Sequence, residues 1–356
     1  MRILLTCDPM LPVPPRGYGG IERIVDALVR QYRQLGHTVG LLALAGSTCP
    51  ANATFRWPVP RVRGRLATAR NVLGLWRACG AFRPDLVHHF ARLAYLLPVL
   101  PARVPKIMSY QRHTGPRPAA RALRLARPGS LQFTGCSEFI CNQGRPGGGD
   151  WTTVPNFVEA ARFDFVPAVP AAAPLVFLSR VETIKGAALA IDIARAAGRR
   201  LLIAGNHATT GPEAEYWRSR IVPNLGHGDV EYVGEVDDEA KNRLLRSAAA
   251  LLVPIQWDEP FGIVFVEAMA TGTPVITCAR GALPEIVQPG RTGYFIREVA
   301  DGVEAVRRIP ELDRRACRED VERRFSVAAC ADRYLELYKR RPGIGGTGRT
   351  QTHAGS

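Results

Sequence analysis

Glu259 and Glu267 stand with seven residues between them in a run that is otherwise apolar, DEPFGIVFVEAMATGTPVI over 258–276. A carboxylate buried without a partner is costly, so each acid needs something to hold. Two hydroxyl-rich groups would serve, a sugar ring at Glu259 and a ribose at Glu267. One solvated glutamate and one paired with an arginine would serve as well. ALLVPI (250–255) reads as a buried strand, and QWDEP as the loop leaving it. Pro260 suits the first helical positions, while Gly272 and Pro274 stop the helix. Glu259 is thereby placed at a strand end, with free N–H groups of Phe261, Gly262 and Ile263 beside it at the helix start.

Two further clusters carry chemistry. In LSRVETIKG (178–186), Arg180 and Lys185, one of four lysines in the chain, follow a strand. A planar guanidinium and a compact ammonium at that place can grip a diphosphate together. Surface cations in a loop are the plain alternative. In RGYGGIERIVDALVR (16–30), Gly17, Gly19 and Gly20 lie between a strand and a helix. Bare backbone amides there can cradle an anion, or the glycines make a tight turn. The spacing fits neither the dinucleotide fingerprint nor the Walker A loop.

The elements that must position these groups alternate. Strands are expected at 2–7, 38–44, 85–90, 106–111 and 131–137, with helices at 21–35 and 65–80; 152–158 leads out of this half. FVPAVPAAAP (165–174) reads as a stiff linker. The same grammar then resumes, with strands at 175–180, 199–205, 230–234, 250–255, 273–278 and 294–296. Helices are expected near 185–197, 237–248, 301–308 and 326–340. Such alternation implies mainly parallel sheets covered on both faces. The fold class is α/β, two doubly wound halves, and ligands belong in the cleft between their C-terminal strand ends.

The 356 residues carry a net charge of +15, confined to one half. Residues 1–165 hold 22 Lys and Arg against 8 Asp and Glu; residues 166–356 hold 25 against 24. A basic half suits an anionic partner. No run of eighteen uncharged apolar residues reads as a membrane span, and the start lacks a signal-peptide layout. The eight cysteines form no C-x-x-C pair, so reduced thiols and a cytoplasmic chain are expected, with no metal site. Arg61, Arg63, Arg65, Arg70, Arg77 and Arg83 surround a stripe of Leu66, Leu73 and Trp76. Either the stripe packs on the sheet, or it lies on an anionic membrane with the arginines among the headgroups.

GYGGIERIV, SRVETIKG, EPFGIVFVEAMATGTPVI and GALPEIVQPGRTGYFI resemble, in order and position, the motifs of retaining family-four glycosyltransferases of the GT-B fold. The likeness covers nearly the whole chain apart from the tail. It implies an N-terminal acceptor-side Rossmann-like domain over 1–165 and a nucleotide-sugar-binding one over 166–325. Helix 326–340 is expected to pack back toward the first half, and 341–356 to form a disordered tail. The resemblance further implies that Arg180 and Lys185 hold the donor's diphosphate and that Gly19 and Gly20 close over it. Glu267 would bind the ribose, and Glu259, with the backbone of Phe261 and Gly262, the transferred sugar. The base would lie near Val233 and Gly234, and His113 near the sugar. VPNFV departs from the family, which usually has Gly where Phe157 stands.

The expected activity is metal-independent, retaining sugar transfer from a UDP- or GDP-linked donor, with no other cofactor. The acceptor would be a lipid-linked sugar or a soluble small molecule, and the location cytoplasmic, with peripheral contact at the inner membrane face. Two rivals are a nucleotide-sugar epimerase or hydrolase on the same fold and a nucleic-acid-binding protein using the basic half. No helix-turn-helix, zinc finger or aromatic-rich strand supports the second, so no nucleic acid is expected.

Overall fold

The computed structural model describes residues 1–15, 17, 19–60, 64–226 and 229–340. Arg61, Arg63 and the 341–356 tail therefore lie outside the described residues. The first half runs β1 (Arg2–Thr6), α1 (Gly20–Gln34), β2 (Thr38–Ala43), β3 (Ala53–Arg56), α2 (Arg65–Phe82), β4 (Leu86–His89), β5 (Lys106–Tyr110), α3 (Pro116–Leu125), β6 (Leu131–Gly135), α4 (Glu138–Gly144) and β7 (Trp151–Thr153). The second runs β8 (Leu175–Leu178), α5 (Ala187–Ala196), β9 (Leu201–Ala204), α6 (Gly211–Tyr216), β10 (Val230–Gly234), α7 (Asp238–Ser247), β11 (Ala250–Val253), α8 (Ile263–Ala270), β12 (Val275–Thr277), α9 (Leu283–Ile286), β13 (Gly293–Phe295), α10 (Val299–Arg307), α11 (Arg314–Arg324) and α12 (Val327–Lys339).

Both sheets are parallel throughout. Their orders are β3-β2-β1-β4-β5-β6-β7 and β10-β9-β8-β11-β12-β13. In each, the order reverses beside the first strand of its half, and a crevice opens there at the strand ends. The switch points fall between β1 and β4 and between β8 and β11. The loops leaving β1, β8 and β11 are those that carry Gly19–Gly20, Arg180–Lys185 and Glu259.

Helix α12 crosses back. Cys330, Ala331, Tyr334 and Tyr338 share one buried cluster with Ile3, Leu5, Val25 and Leu28 of the first half. A buried polar chain joins them: Tyr32 Oη to Tyr338 Oη (3.1 Å), Tyr338 Oη to His88 Nδ1 (2.6 Å), and His88 Nε2 to Ser109 Oγ (2.7 Å). His89 Nε2 donates to the Arg92 carbonyl (2.9 Å), and its Nδ1 faces Thr6 Oγ1 (2.6 Å).

Burial holds His88 well below its usual pKa and brings His89 down to about 4. The unfolded chain therefore binds more protons than the folded chain below about pH 6.5. Stability from these histidines is complete above that pH and is lost as pH falls toward 4. From His89 alone the loss is of order 3 kcal/mol. Denaturant unfolding at pH 7.5 and pH 5 should show the drop, and His89→Asn should shrink it. An equal drop in the variant would exclude His89 as its cause.

In one helix the structure decides between the two sequence readings, against packing of the stripe on the sheet, and in another it moves the expected start. Helix α2 buries Asn71, Leu75, Ala78 and Phe82, whereas Leu66, Leu73 and Trp76 are 67%, 47% and 58% exposed. Asn71 is a suitable core residue because its side-chain amide bonds both the N–H and the carbonyl of Val59 (3.0 and 3.1 Å). The helix after the acidic loop begins at Ile263 rather than Pro260. Gly262 precedes it in the left-handed region (φ 85°), and the Pro260 carbonyl accepts from Ser137 Oγ (2.7 Å).

Candidate active site

Glu259 sits in the loop that runs from β11 to α8. A glycine is required opposite it: a Cβ on Gly281 (φ 58°) would stand 2.3 Å from the Glu259 carbonyl oxygen. The Ala282 amide donates to that same carbonyl (2.8 Å). The backbone of the acid is thus clamped by the loop before α9. Its side chain is fixed as firmly. Lys185 Nζ lies 2.7 Å and Trp257 Nε1 3.0 Å from Glu259 Oε2, and the lysine nitrogen stands 4.7 Å from the Trp257 ring centre. Lys185 and Glu259 side chains are only 11% and 13% exposed, so the pair is close to buried. Both bonds converge on Oε2, leaving Oε1 to accept from a ligand.

Arg180 is a different case. It is half exposed and pairs with Glu182 (2.6 Å), two residues along the same loop. Glu267, on α8, is buried and takes Lys241 Nζ on Oε1 (2.6 Å). That lysine also reaches Asp238 (3.3 Å), which in turn holds Arg23 of α1 (2.7 Å). Burial raises the Asp238 carboxyl, but Lys241 and Arg23 outweigh it and bring its pKa below the ordinary value. Glu267 therefore has a cation, as one reading of the sequence required, but a lysine rather than an arginine.

The two halves meet at their helix starts. A Cβ on Gly20 would lie 2.9 Å from Ile263 Cδ1, so the N-termini of α1 and α8 approach across the cleft. Both direct first-turn amides, which have no acceptor four residues earlier in their helix, and the positive ends of their dipoles toward the cleft. Glu22, in the first turn of α1, is buried, and burial raises its pKa. Gly20, Ile263, Phe157 and Glu267 line one cavity of about 70 Å³. Val233 and Gly234 end the edge strand β10, where the Gly234 carbonyl accepts from the Gly205 amide (2.8 Å). Phe261 is buried, its ring 5.8 Å from that of Phe325.

His113 leaves β5 and reaches the acidic loop. Gln143 Oε1 accepts from the Thr114 amide (3.1 Å), so its Nε2 donates to His113 Nδ1 (3.0 Å). This assigns the ring proton to Nε2, which donates to the Asp258 carbonyl (2.8 Å). The imidazole also packs against Trp257, 5.5 Å between centres. His113, Trp257, Glu259 and Lys185 thus form one connected set from both halves.

Sequence reasoning did not find Trp257, Lys241, Gln143 or Glu285. Glu285 accepts from the Glu138 and Phe139 amides of α4 (2.7 and 2.8 Å), a second bridge across the cleft. Its signal was present in GALPE, where a carboxylate follows a glycine turn, but its partner amides lie far away in the chain.

Residues 170–322 match the family described as Glycosyl transferases group 1, and residues 18–162 match Glycosyltransferase Family 4. A phosphatidyl-myo-inositol mannosyltransferase of Mycolicibacterium smegmatis is 30% identical, over 86% of this chain and 83% of that protein. Its counterpart from Mycobacterium tuberculosis is 28% identical over 97% and 98%. Among solved structures, AviGT4, a glycosyltransferase involved in avilamycin A biosynthesis, superposes with a TM-score of 0.73 at 29% identity, covering 95% of this chain and 97% of that one. Anabaena Alr3699/HepE in complex with UDP-glucose shares the fold, with a TM-score of 0.70 at 18% identity over 95% and 99%. On this match over both halves, the chain is a GT-B glycosyltransferase and belongs to the group 1 glycosyltransferases.

Proposed function

We propose that this glycosyltransferase is retaining and metal-independent, with a UDP- or GDP-sugar donor on the 166–325 half and the acceptor on the 1–165 half. The observation that carries the reading is the Lys185–Glu259 pair, 2.7 Å apart at the switch point of the second sheet. An ammonium has three donors, so Lys185 keeps Glu259 in place while donating to a diphosphate. As the glycosidic bond breaks, negative charge gathers on that leaving group. Lys185, Arg180 and the amides at Gly19, Gly20 and Ile263 stabilise it, which is usually the largest catalytic contribution. Arg180 exchanges Glu182 for phosphate. Glu259 Oε1, with the Phe261 and Gly262 backbone, orients the sugar, and His113 borders it. Glu267 Oε2 accepts from the ribose hydroxyls, and the base lies by Val233 and Gly234. Attack comes from the face the diphosphate leaves, and the departing phosphate takes the acceptor proton.

The test is release of nucleoside diphosphate from a panel of UDP- and GDP-sugars with excess chelator present. Activity that vanishes with chelator and returns with magnesium would overturn metal independence. Product of inverted anomeric configuration by NMR would overturn retention.

The reading extends to an anionic membrane surface. Among the described residues, no helix is long and apolar enough to cross a membrane. Helix α2 instead offers exposed Leu66, Leu73 and Trp76 beside Arg65, Arg70 and Arg77. Residues 27–137 hold 17 basic residues and one acid, Asp85. Apolar side chains with interleaved arginines suit the headgroup boundary of an anionic bilayer. Co-sedimentation with anionic but not neutral vesicles is expected, fading as salt rises. Replacing Arg65, Arg70 and Arg77 with Ser should abolish it and spare donor binding. Wild-type protein that stays in the supernatant at low salt would contradict it.

A further inference from the structure

Three consecutive carbonyls of the acidic loop are each held by a donor. His113 Nε2 donates to that of Asp258 (2.8 Å), the Ala282 amide to that of Glu259 (2.8 Å) and Ser137 Oγ to that of Pro260 (2.7 Å). Two of the three donors belong to the first half, so the loop carrying Glu259 takes its shape partly from across the cleft. Both of those donors are tied to α4. Ser137 is the N-cap of that helix, its Oγ also accepting from the Ile140 amide (3.2 Å). Gln143, in its last turn, donates to His113 Nδ1 (3.0 Å). Where α4 stands therefore decides where Asp258 and Pro260 stand, and Glu259 lies between them.

Glu285 ties α4 to the second half. Its Oε2 accepts from the Glu138 amide (2.7 Å) and its Oε1 from the Phe139 amide (2.8 Å). A carboxylate that takes two N–H donors, one on each oxygen, is a strong and directional clamp. The far end of the clamp is anchored as well. Arg324 of α11 donates to the Glu285 carbonyl, and Arg324 also pairs with the fully buried Asp320 (2.8 Å). Gly281 and Ala282, which grip the Glu259 backbone, lie four and three residues ahead of Glu285. Glu285 thus reaches Glu259 from two sides, through the turn before α9 and through α4.

We infer that Glu285 is a positioning residue for sugar transfer: by holding α4 against the second half it sets the place of Glu259, and so the fit of the transferred sugar. This rests on the reading of Glu259 as the residue that orients that sugar. Both Glu285 oxygens are committed to α4, so it acts through Glu259 rather than on the ligand. Glu285→Gln keeps the size of the side chain but offers a single acceptor oxygen and turns an NH₂ group toward the second amide. The clamp then opens on one side. A displacement of about 1 Å, made far from the chemistry, can cost about 10²-fold.

Calorimetry on the full chain tests it, with whichever of UDP-glucose, UDP-N-acetylglucosamine and GDP-mannose the wild type binds most tightly, and with the matching UDP or GDP. The ratio of the diphosphate's dissociation constant to that of the nucleotide sugar isolates what the sugar contributes. Glu259→Gln should lower this ratio about ten-fold. Glu285→Gln should lower it in the same sense, by about ten-fold, with the affinity for the diphosphate unchanged. The double variant should fall no further than Glu259→Gln alone, because both changes act on one contact. A merely structural role would instead lower the melting temperature and leave the ratio where it was. Ser137→Ala, which frees the Pro260 carbonyl directly, should reproduce the effect and serves if Glu285→Gln does not fold. A ratio that responds to Glu259→Gln but to neither Glu285→Gln nor Ser137→Ala overturns the inference and keeps the donor reading, as does a double variant whose losses simply add. A ratio unmoved by Glu259→Gln, or a folded wild type that binds none of these ligands, brings down the donor reading and this inference with it.

Discussion

Lys185→Ala is expected to lower turnover by roughly 10²–10³, the scale of removing one preorganised donor from a developing anion. The loss should fall on kcat more than on acceptor KM, because the charge that Lys185 meets grows in the transition state. The pair with Glu259 complicates the variant. Taking one partner from a nearly buried ion pair costs about 3–5 kcal/mol of stability. Glu259→Gln is therefore the necessary companion, since it keeps the shape and the Trp257 bond. The two changes share one contact, so their effects should be strongly non-additive. A folded Lys185→Ala enzyme with near-normal kcat would remove Lys185 from the diphosphate.

Glu267→Ala should weaken nucleoside diphosphate binding by about ten- to a hundred-fold. The ribose hydroxyls lose a charged acceptor worth roughly 1.5–3 kcal/mol. Lys241 keeps Asp238 as a partner (3.3 Å), so the site does not acquire an unpaired cation. Affinity for pyrophosphate should be unchanged, because only the ribose contact is lost. Calorimetry of the two ligands on wild type and variant separates the cases. Unchanged diphosphate affinity in a folded variant would take Glu267 out of the site.

The order of strands and helices was legible because each buried parallel strand is a short apolar run closed by Gly, Pro or polar residues. What escaped has identifiable causes. β3, ATFR, is four residues with a half-exposed alternation and too short to register. α11, RRACREDVERR, has almost no apolar period, yet it is held by buried charges. Arg314 donates to the carbonyls of Val166 (2.7 Å) and Ala248 (2.9 Å), and Asp320 bonds Gln288, Arg323 and Arg324 (2.9, 2.6 and 2.8 Å). α2 left two readings open because an exposed apolar stripe and a sheet-packed one look alike in sequence, and the residue marking the true inner face is Asn71. In the site, residue types announced the acids and cations. Their pairing was hidden, since Lys185 and Glu259, or Glu285 and the α4 amides, meet only through the fold.

We propose that this cleft holds a nucleoside diphosphate-sugar through Lys185, Arg180 and Glu267. The most direct measurement is a calorimetric titration of the full chain with UDP, GDP, UMP and GMP. One diphosphate should bind at least ten-fold more tightly than its monophosphate. Lys185→Ala should shrink that difference, whereas Glu267→Ala should weaken both ligands alike. A folded chain that binds no nucleoside diphosphate, or binds mono- and diphosphate equally, would contradict it.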